Sequence, residues 1–417
     1  MTLQLVLISL LAVYTAWNLG ANDVANSMGT SVGSKALTLT QAIVIAGILE
    51  FIGAVIFGGE VSTTLATKVA NPTLFIDTPQ VFVKGMIAVL ISCGLWLQIA
   101  TNFGLPVASS HAVVGAIAGF SWVAKGREAI DWSSIRIIGL GWIITPILSG
   151  IVAVSFYIIL SKSLFSQSNI IQSLQEWIPW LSSGIVAIFG IIVFPQFWRQ
   201  PLFASIALSQ NNLSSVTGVI FALILCFVLW NQLTKLQQKD SAADNQILEE
   251  IMGKFQVISA CFVAFAHGSN DVGNAIAPLA AIYYVWHTNS VPISDITIPY
   301  WILTVGGTGI VAGLAVQGKK VIATVGEGII SLVPSRGFCA EIATATTILL
   351  ASSIGLPIST SHALVGSIVG IGLVQKNTQV DWNTVKSVIL AWVVTLPMAA
   401  ILGAIIFTLL QLSSSVY

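Results

Sequence analysis

Apolar runs of membrane-spanning length recur along nearly the whole chain, at about 2–20, 41–58, 81–101, 136–160, 180–194, 214–234, 252–266, 298–317, 337–354 and 384–411. A hydrocarbon core about 30 Å thick takes roughly 20 helical residues to cross, so each run predicts a transmembrane helix. Three further apolar pieces, at about 22–33, 105–124 and 271–286, are interrupted by Gly, Pro, Asn, Asp and Ser. Irregular polar backbone at membrane depth survives only against protein or a cavity, so these pieces predict broken helices and re-entrant segments around a site. Lys235 to Glu250 lacks an apolar pattern and reads as a linker between two halves.

Composition agrees with the pattern. Of 417 residues 56% are hydrophobic and 8% charged, with a mean hydropathy of +0.92, against about 25% charged residues in a soluble domain. The class is therefore an all-α integral membrane protein, with the lipid bilayer as its first partner. Sixteen basic residues balance sixteen acidic ones, which removes any electrostatic footprint for nucleic acid. The apolar N-terminus lacks a basic leader and runs straight into a motif, so it is expected to belong to the mature protein. Cys93, Cys226, Cys261 and Cys339 stand singly in apolar segments and read as small core hydrophobes.

The halves repeat. Gly20-Ala21-Asn22-Asp23-Val24-Ala25-Asn26 returns as Gly268-Ser269-Asn270-Asp271-Val272-Gly273-Asn274. Gly104-Leu105-Pro106-Val107-Ala108-Ser109-Ser110-His111 returns as Gly355-Leu356-Pro357-Ile358-Ser359-Thr360-Ser361-His362, and Asp131-Trp132 as Asp381-Trp382. Three matches in one order, each about 250 residues apart, mark an internal duplication, and paired interrupted helices in two halves point to a midplane transport site. The expected division is a first membrane repeat at 1–160, connecting helices and the linker (about 235–250) at 161–251, and a second repeat at 252–417. Asp131 and Asp381 read as N-caps, with Trp132 and Trp382 as interfacial anchors.

The chemistry lies in two motif pairs. Asp23 and Asp271, each with two carboxamides (Asn22, Asn26; Asn270, Asn274) and flanking glycines, are membrane-depth carboxylates that need a positive partner. Hard oxygen ligands, with carbonyls freed where a helix breaks, suit sodium; no thiolate or imidazole cluster that a transition metal would favour is visible. The second pair starts helices with Pro and then hydroxyls: Ser109 and Ser110 in one half, Ser359, Thr360 and Ser361 in the other. Free amides, the helix dipole and hydroxyls bind an oxyanion without a cationic side chain. Two aspartates and an anion repel one another in a low dielectric, so cations must enter with the anion, which is a physical reason for symport. Glu50 and Glu341 are further membrane-depth carboxylates, candidates for coupling; His111 and His362 follow the hydroxyls as packing or coupling groups. A cation/proton antiporter using Asp23 and Asp271 alone is the rival reading, and it leaves the hydroxyl motifs idle. No catalytic residue is expected, because no nucleophile with an oriented base is visible.

These motifs resemble those of the PiT family of inorganic phosphate transporters, in Gly20 to Asn26, His267 to Val272, the Gly-Leu-Pro-hydroxyl-His elements and the two glutamates. The resemblance spans about 14–150 and 255–400. It implies about twelve membrane helices in two inverted repeats, re-entrant hairpins ending in the hydroxyl motifs, and a homodimer; the plasma membrane is the default location. It also implies phosphate uptake coupled to Na⁺ or H⁺, with sodium favoured as a co-transported ion and no resident cofactor. Carried over by position, Asn22, Asp23, Asn26, Asn270, Asp271 and Asn274 serve cations, Asn22 and Asn270 also the phosphate, and Ser109, Ser110, Ser359, Thr360 and Ser361 hold phosphate. Ala108 stands where the second half has Ser359, so the anion site is expected to lean towards the second repeat. Gly273 departs from the usual Ala, and the short 235–250 stretch replaces the long central loop of animal members.

Overall fold

The computed structural model describes residues 2–198, 209–237, 244–319, 322, 329–375 and 379–414. Thirteen α-helices carry the fold among the described residues: α1 (Thr2–Gly33), α2 (Leu39–Phe57), α3 (Gly59–Thr67), α4 (Pro79–Asn102), α5 (Ser109–Lys125), α6 (Trp132–Leu160), α7 (Ile170–Trp198), α8 (Gln210–Gln237), α9 (Asp244–Thr288), α10 (Tyr300–Gln317), α11 (Pro334–Ser353), α12 (Thr360–Val374) and α13 (Trp382–Ser414). Among the described residues, eight of them (α1, α2, α4, α6, α7, α8, α10 and α13) are long and apolar enough to cross a membrane. The chain is an all-α integral membrane protein.

Two of the three interrupted pieces are not interrupted. The expected spans 2–20 and 22–33 merge into α1, and 252–266 and 271–286 merge into the 45-residue α9. Helix breaks therefore free no carbonyls at the Asn-Asp motifs. The flanking glycines serve close packing instead: a Cβ at Gly20 would overlap the Ile310 carbonyl of α10, and one at Gly268 the Glu50 carbonyl of α2. Small residues that let backbones touch are the usual device for helix association in lipid. Helix α9 also begins earlier than expected, so Asp244 to Glu250 are its first turns; 238–243 lie outside the described residues.

The two halves interlock rather than sit side by side. Helix α1 of the first packs on α10 of the second, and α9 on α2; α5 packs on α13, and α12 on α6. The last two contacts repeat the small-residue device, with Gly119 against the Ala400 carbonyl and Gly366 against that of Pro146. Helices α7 and α8 lie between the repeats in sequence and have no counterpart in the duplication.

The hydroxyl motifs do sit at chain breaks. Helix α4 closes with Gly104 at φ +66°, Gly104 N–H donating to the Thr101 carbonyl (3.0 Å) and Leu105 N–H to that of Ala100 (3.0 Å). Helix α11 closes identically, with Gly355 at φ +66° and bonds from Gly355 to Ser352 (3.0 Å) and from Leu356 to Ala351 (2.9 Å). This is the Schellman termination, for which a glycine in the left-handed region is the natural residue. Pro106 and Pro357 follow, then Ala108 and Ser359 as extended N-caps of α5 and α12. At the other ends, Asp131 accepts from the Ser133 and Ser134 amides (3.0 and 3.1 Å), and Asp381 from those of Asn383 and Thr384 (2.9 and 3.3 Å). The Thr384 and Asn383 amides hold the exposed Asp381 carboxyl below the usual carboxylate range. Asp131→Ala should lower the thermal unfolding midpoint in detergent through loss of about 1 kcal/mol of capping, while Asp131→Asn should lose little.

Candidate functional site

The duplicated motifs of both halves converge at one buried centre, and each half completes the other. Asn26 of α1 donates to Thr360 of α12 (3.3 Å), and Asn274 of α9 donates to Ser109 of α5 (3.1 Å). Within its own half, Thr360 donates to Asp271 (2.8 Å), and Ser109 lies beside Asp23. Ser109 and Thr360 thus hold equivalent places, each between the aspartate of its own repeat and the asparagine of the other. Asn22 ties α1 to the first hairpin, donating to Thr101 (3.1 Å) and the Leu105 carbonyl (3.0 Å) and accepting from Val107 N–H (3.2 Å). The Asn270 carboxamide ties α9 to the second, 2.9 Å from the Ser352 hydroxyl. The hairpin breaks, not the Asn-Asp helices, supply the irregular carbonyls.

One oxygen each of Asp23 and Asp271 and a ring nitrogen of His267 lie within 4.8 Å of one another. His267 is fully buried; its Nε2 is 3.0 Å from Asp271 Oδ2 and its Nδ1 3.2 Å from Glu50 Oε1. A neutral imidazole has one N–H, so satisfying both contacts takes one further proton, on the ring or on a carboxyl. Both ring nitrogens already face carboxylates, which leaves oxygen as the donor type open to an ion, the preference of a hard cation. Asp23 Oδ2, Asn274 Oδ1 and Glu50 Oε2 are buried acceptors with no donor among the described residues.

Glu341 lies in a second buried pocket, where Thr30 and Ser31 (2.6 Å each), Ser259 (2.7 Å) and Gln256 (3.0 Å) donate to it. Ser27 donates to Glu50 (2.7 Å). Asp23, Ser27, Thr30, Ser31 and Ser34 recur at helical spacing, so one face of α1 is a polar stripe connecting the centre to Glu341 and Gln256. The histidines following the hydroxyls are fixed symmetrically. His111 Nδ1 bonds to the Trp392 carbonyl (3.1 Å) and His362 Nδ1 to that of Trp142 (2.9 Å), each ring against a tryptophan at 3.8 Å and the two rings 4.9 Å apart. A carbonyl only accepts, so Nδ1 carries the proton. Ser110 and His111 form no nucleophile–base pair: the ring is bonded to Trp392, and the hydroxyl has no partner among the described residues.

Residues 19–403 match the model of the phosphate transporter family. The chain belongs to the phosphate transporter family. A putative phosphate permease of Haemophilus influenzae is 38% identical over 399 residues, covering 95% of this chain and 94% of its own length. The chloroplastic inorganic phosphate transporter 2-1 of Arabidopsis thaliana is 38% identical over 421 residues, covering 96% of this chain and 70% of its own. A solved structure described as the sodium-dependent phosphate transporter superposes with a TM-score of 0.88 at 36% identity, covering 99% of this chain and 100% of that one.

In this family member, sequence reasoning missed His267 and the α1 hydroxyls. The signals were present: His267 stands four residues before Asp271, one helical turn away, and Ser27, Thr30, Ser31 and Ser34 recur every three or four residues after Asp23. The Asn-Asp motifs were expected to meet no imidazole cluster, and the structure brings one imidazole, that of His267, to the two aspartates. That expectation failed because the position equivalent to His267 in the first repeat is Leu19, so the duplication gave it no second copy.

Proposed function

We propose that this chain carries inorganic phosphate across a membrane with sodium, from one midplane site to which both repeats contribute. The observation carrying this reading is the crossed arrangement, in which a hydroxyl-bearing helix start meets the asparagine of the other half beside the aspartate of its own. The buried acceptors Asp23 Oδ2 and Asn274 Oδ1 suit a dehydrated cation, with Asn22, Asp23, Asn26, Asn270, Asp271 and Asn274 as the ligand pool. The first turns of α5 and α12 suit a tetrahedral anion through Ser109, Ser110, Ser359, Thr360, Ser361 and free amides, with Asn22 and Asn270 bracing the hairpins. Two carboxylates this close repel each other and an incoming phosphate, so sodium and phosphate stabilise one another reciprocally. Glu50 with His267, and Glu341 with its hydroxyl shell, adjust the charge of the site as it loads. His111 and His362 brace the two hairpins against α13 and α6.

The family match and the sodium-dependent structural relative support phosphate as the cargo and sodium as the driver. Two inverted repeats of about twelve crossings, a homodimer, and a plasma-membrane location belong to the same reading. The purified protein in proteoliposomes at symmetrical pH should accumulate radiolabelled phosphate under an inward sodium gradient and not under lithium or choline. Accumulation driven by a pH gradient alone in sodium-free buffer would overturn sodium coupling. Sodium flux without phosphate flux would restore the antiporter.

A further inference from the structure

The two helix starts of the anion site differ in a way that reverses the asymmetry expected from the sequence. Ser359, the extra hydroxyl of the second half, caps its own helix: its Oγ accepts from His362 N–H (3.2 Å) and lies 2.9 Å from Ser361 Oγ. One hydroxyl proton of the Ser359–Ser361 pair is engaged within the pair, so the pair presents a single free O–H. In the first half Ala108 offers no side-chain cap, and His111 N–H bonds instead to the Ala108 carbonyl (3.0 Å). Ser110, the counterpart of Ser361, is 1% exposed and its Oγ has no partner among the described residues. A buried hydroxyl without a partner is rare in a folded protein and calls for a ligand. Ser109 and Thr360 do not distinguish the halves, since each bonds to the asparagine of the other half and sits beside the aspartate of its own.

We propose that Ser110 is the one hydroxyl donor to the anion that has no substitute, whereas the second half shares the same task between Ser359 and Ser361. This rests on the assignment of the hydroxyl motifs as the phosphate site. Removing Ser361 frees the Ser359 proton to turn towards the anion; removing Ser110 leaves no neighbouring hydroxyl to take over. A serine at position 108 would build the first-half equivalent of the relay and supply the missing donor.

Phosphate affinity of the full-length protein, measured by calorimetry in saturating sodium, tests this. Ser110→Ala should weaken phosphate binding about tenfold. Ser359→Ala and Ser361→Ala should each cost less than about threefold, and the double variant about as much as Ser110→Ala. Ser110→Thr, which keeps the hydroxyl, should bind like the wild type, and Ala108→Ser should restore most of the affinity lost in Ser110→Ala. These comparisons keep a fold defect distinct from a lost donor. Equal losses for Ser110→Ala and Ser361→Ala, or no rescue by Ala108→Ser, would overturn the proposal while leaving the phosphate site where it is. If neither Ser110→Ala nor the Ser359/Ser361 double variant changes phosphate affinity, the hydroxyl motifs are not the anion site and the assignment beneath the proposal fails with it.

Discussion

Asp23→Asn and Asp271→Asn should each reduce sodium-driven phosphate accumulation in proteoliposomes to background, while expression and membrane insertion stay near wild type. The substitution keeps the side chain's shape and one acceptor oxygen, for Asn26 at Asp23 and for Asn274 at Asp271, while the second oxygen becomes an NH2 group to which Thr360 must turn as acceptor. The charge is lost at nearly constant volume. A unit charge about 4 Å from a cation at an effective dielectric of 20 is worth about 4 kcal/mol, or roughly a thousandfold in cation affinity. Phosphate binding should respond in the opposite sense when sodium is absent, because removing one carboxylate removes part of the repulsion on the anion. Calorimetry should therefore show phosphate binding in the variants that is weaker at high sodium and less dependent on sodium than in the wild type. Undiminished gradient-driven uptake in both variants would sink the cation-site assignment; lost uptake with unchanged sodium dependence of binding would move the aspartates from ion binding to conformational change.

His267→Leu should both destabilise the protein and stop transport. The substitution installs the residue that the first repeat has at the equivalent place, Leu19; the glycine after it, Gly20, packs on the backbone of Ile310 where Gly268 packs on that of Glu50. In the second half an apolar residue has no match there, because Glu50 and Asp271 are both buried and lie 3.2 and 3.0 Å from the ring nitrogens. Removing one partner from a buried ionic network costs about 3–5 kcal/mol, since the remaining charge stays buried without compensation. The thermal midpoint in detergent should fall accordingly, and phosphate uptake should fall towards background. Pairing the change with Glu50→Leu should recover stability, since it removes a buried carboxylate left without its partner, but should not recover transport if the triad adjusts the charge of the site. Recovery of both would reduce His267 and Glu50 to packing groups.

Much of this protein is local and was legible in the chain. Hydropathy fixes the membrane class through length and charge alone. The duplication announced which residues meet at the buried centre, and Gly104, Gly355, Pro106 and Pro357 marked the hairpin breaks, because a left-handed glycine and a proline constrain the backbone at their own positions. The Asp131 and Asp381 caps were legible for the same reason: a cap bonds amides two and three residues away. Sequence reasoning overreached where it let local propensity decide a helix in a crowded interior. Gly20 and Gly268 lower helix propensity, yet both helices run through them because the glycines let neighbouring backbones pack. What only the tertiary structure decided are the pairings across the halves: Asn274 with Ser109, 165 residues apart, and Asn26 with Thr360, 334 apart. Periodicity says which face of a helix is polar but not which helix it meets. For the same reason the sequence counted Ser359 as an added phosphate ligand, where the fold turns its oxygen back onto its own helix and leaves Ser110 as the unengaged hydroxyl.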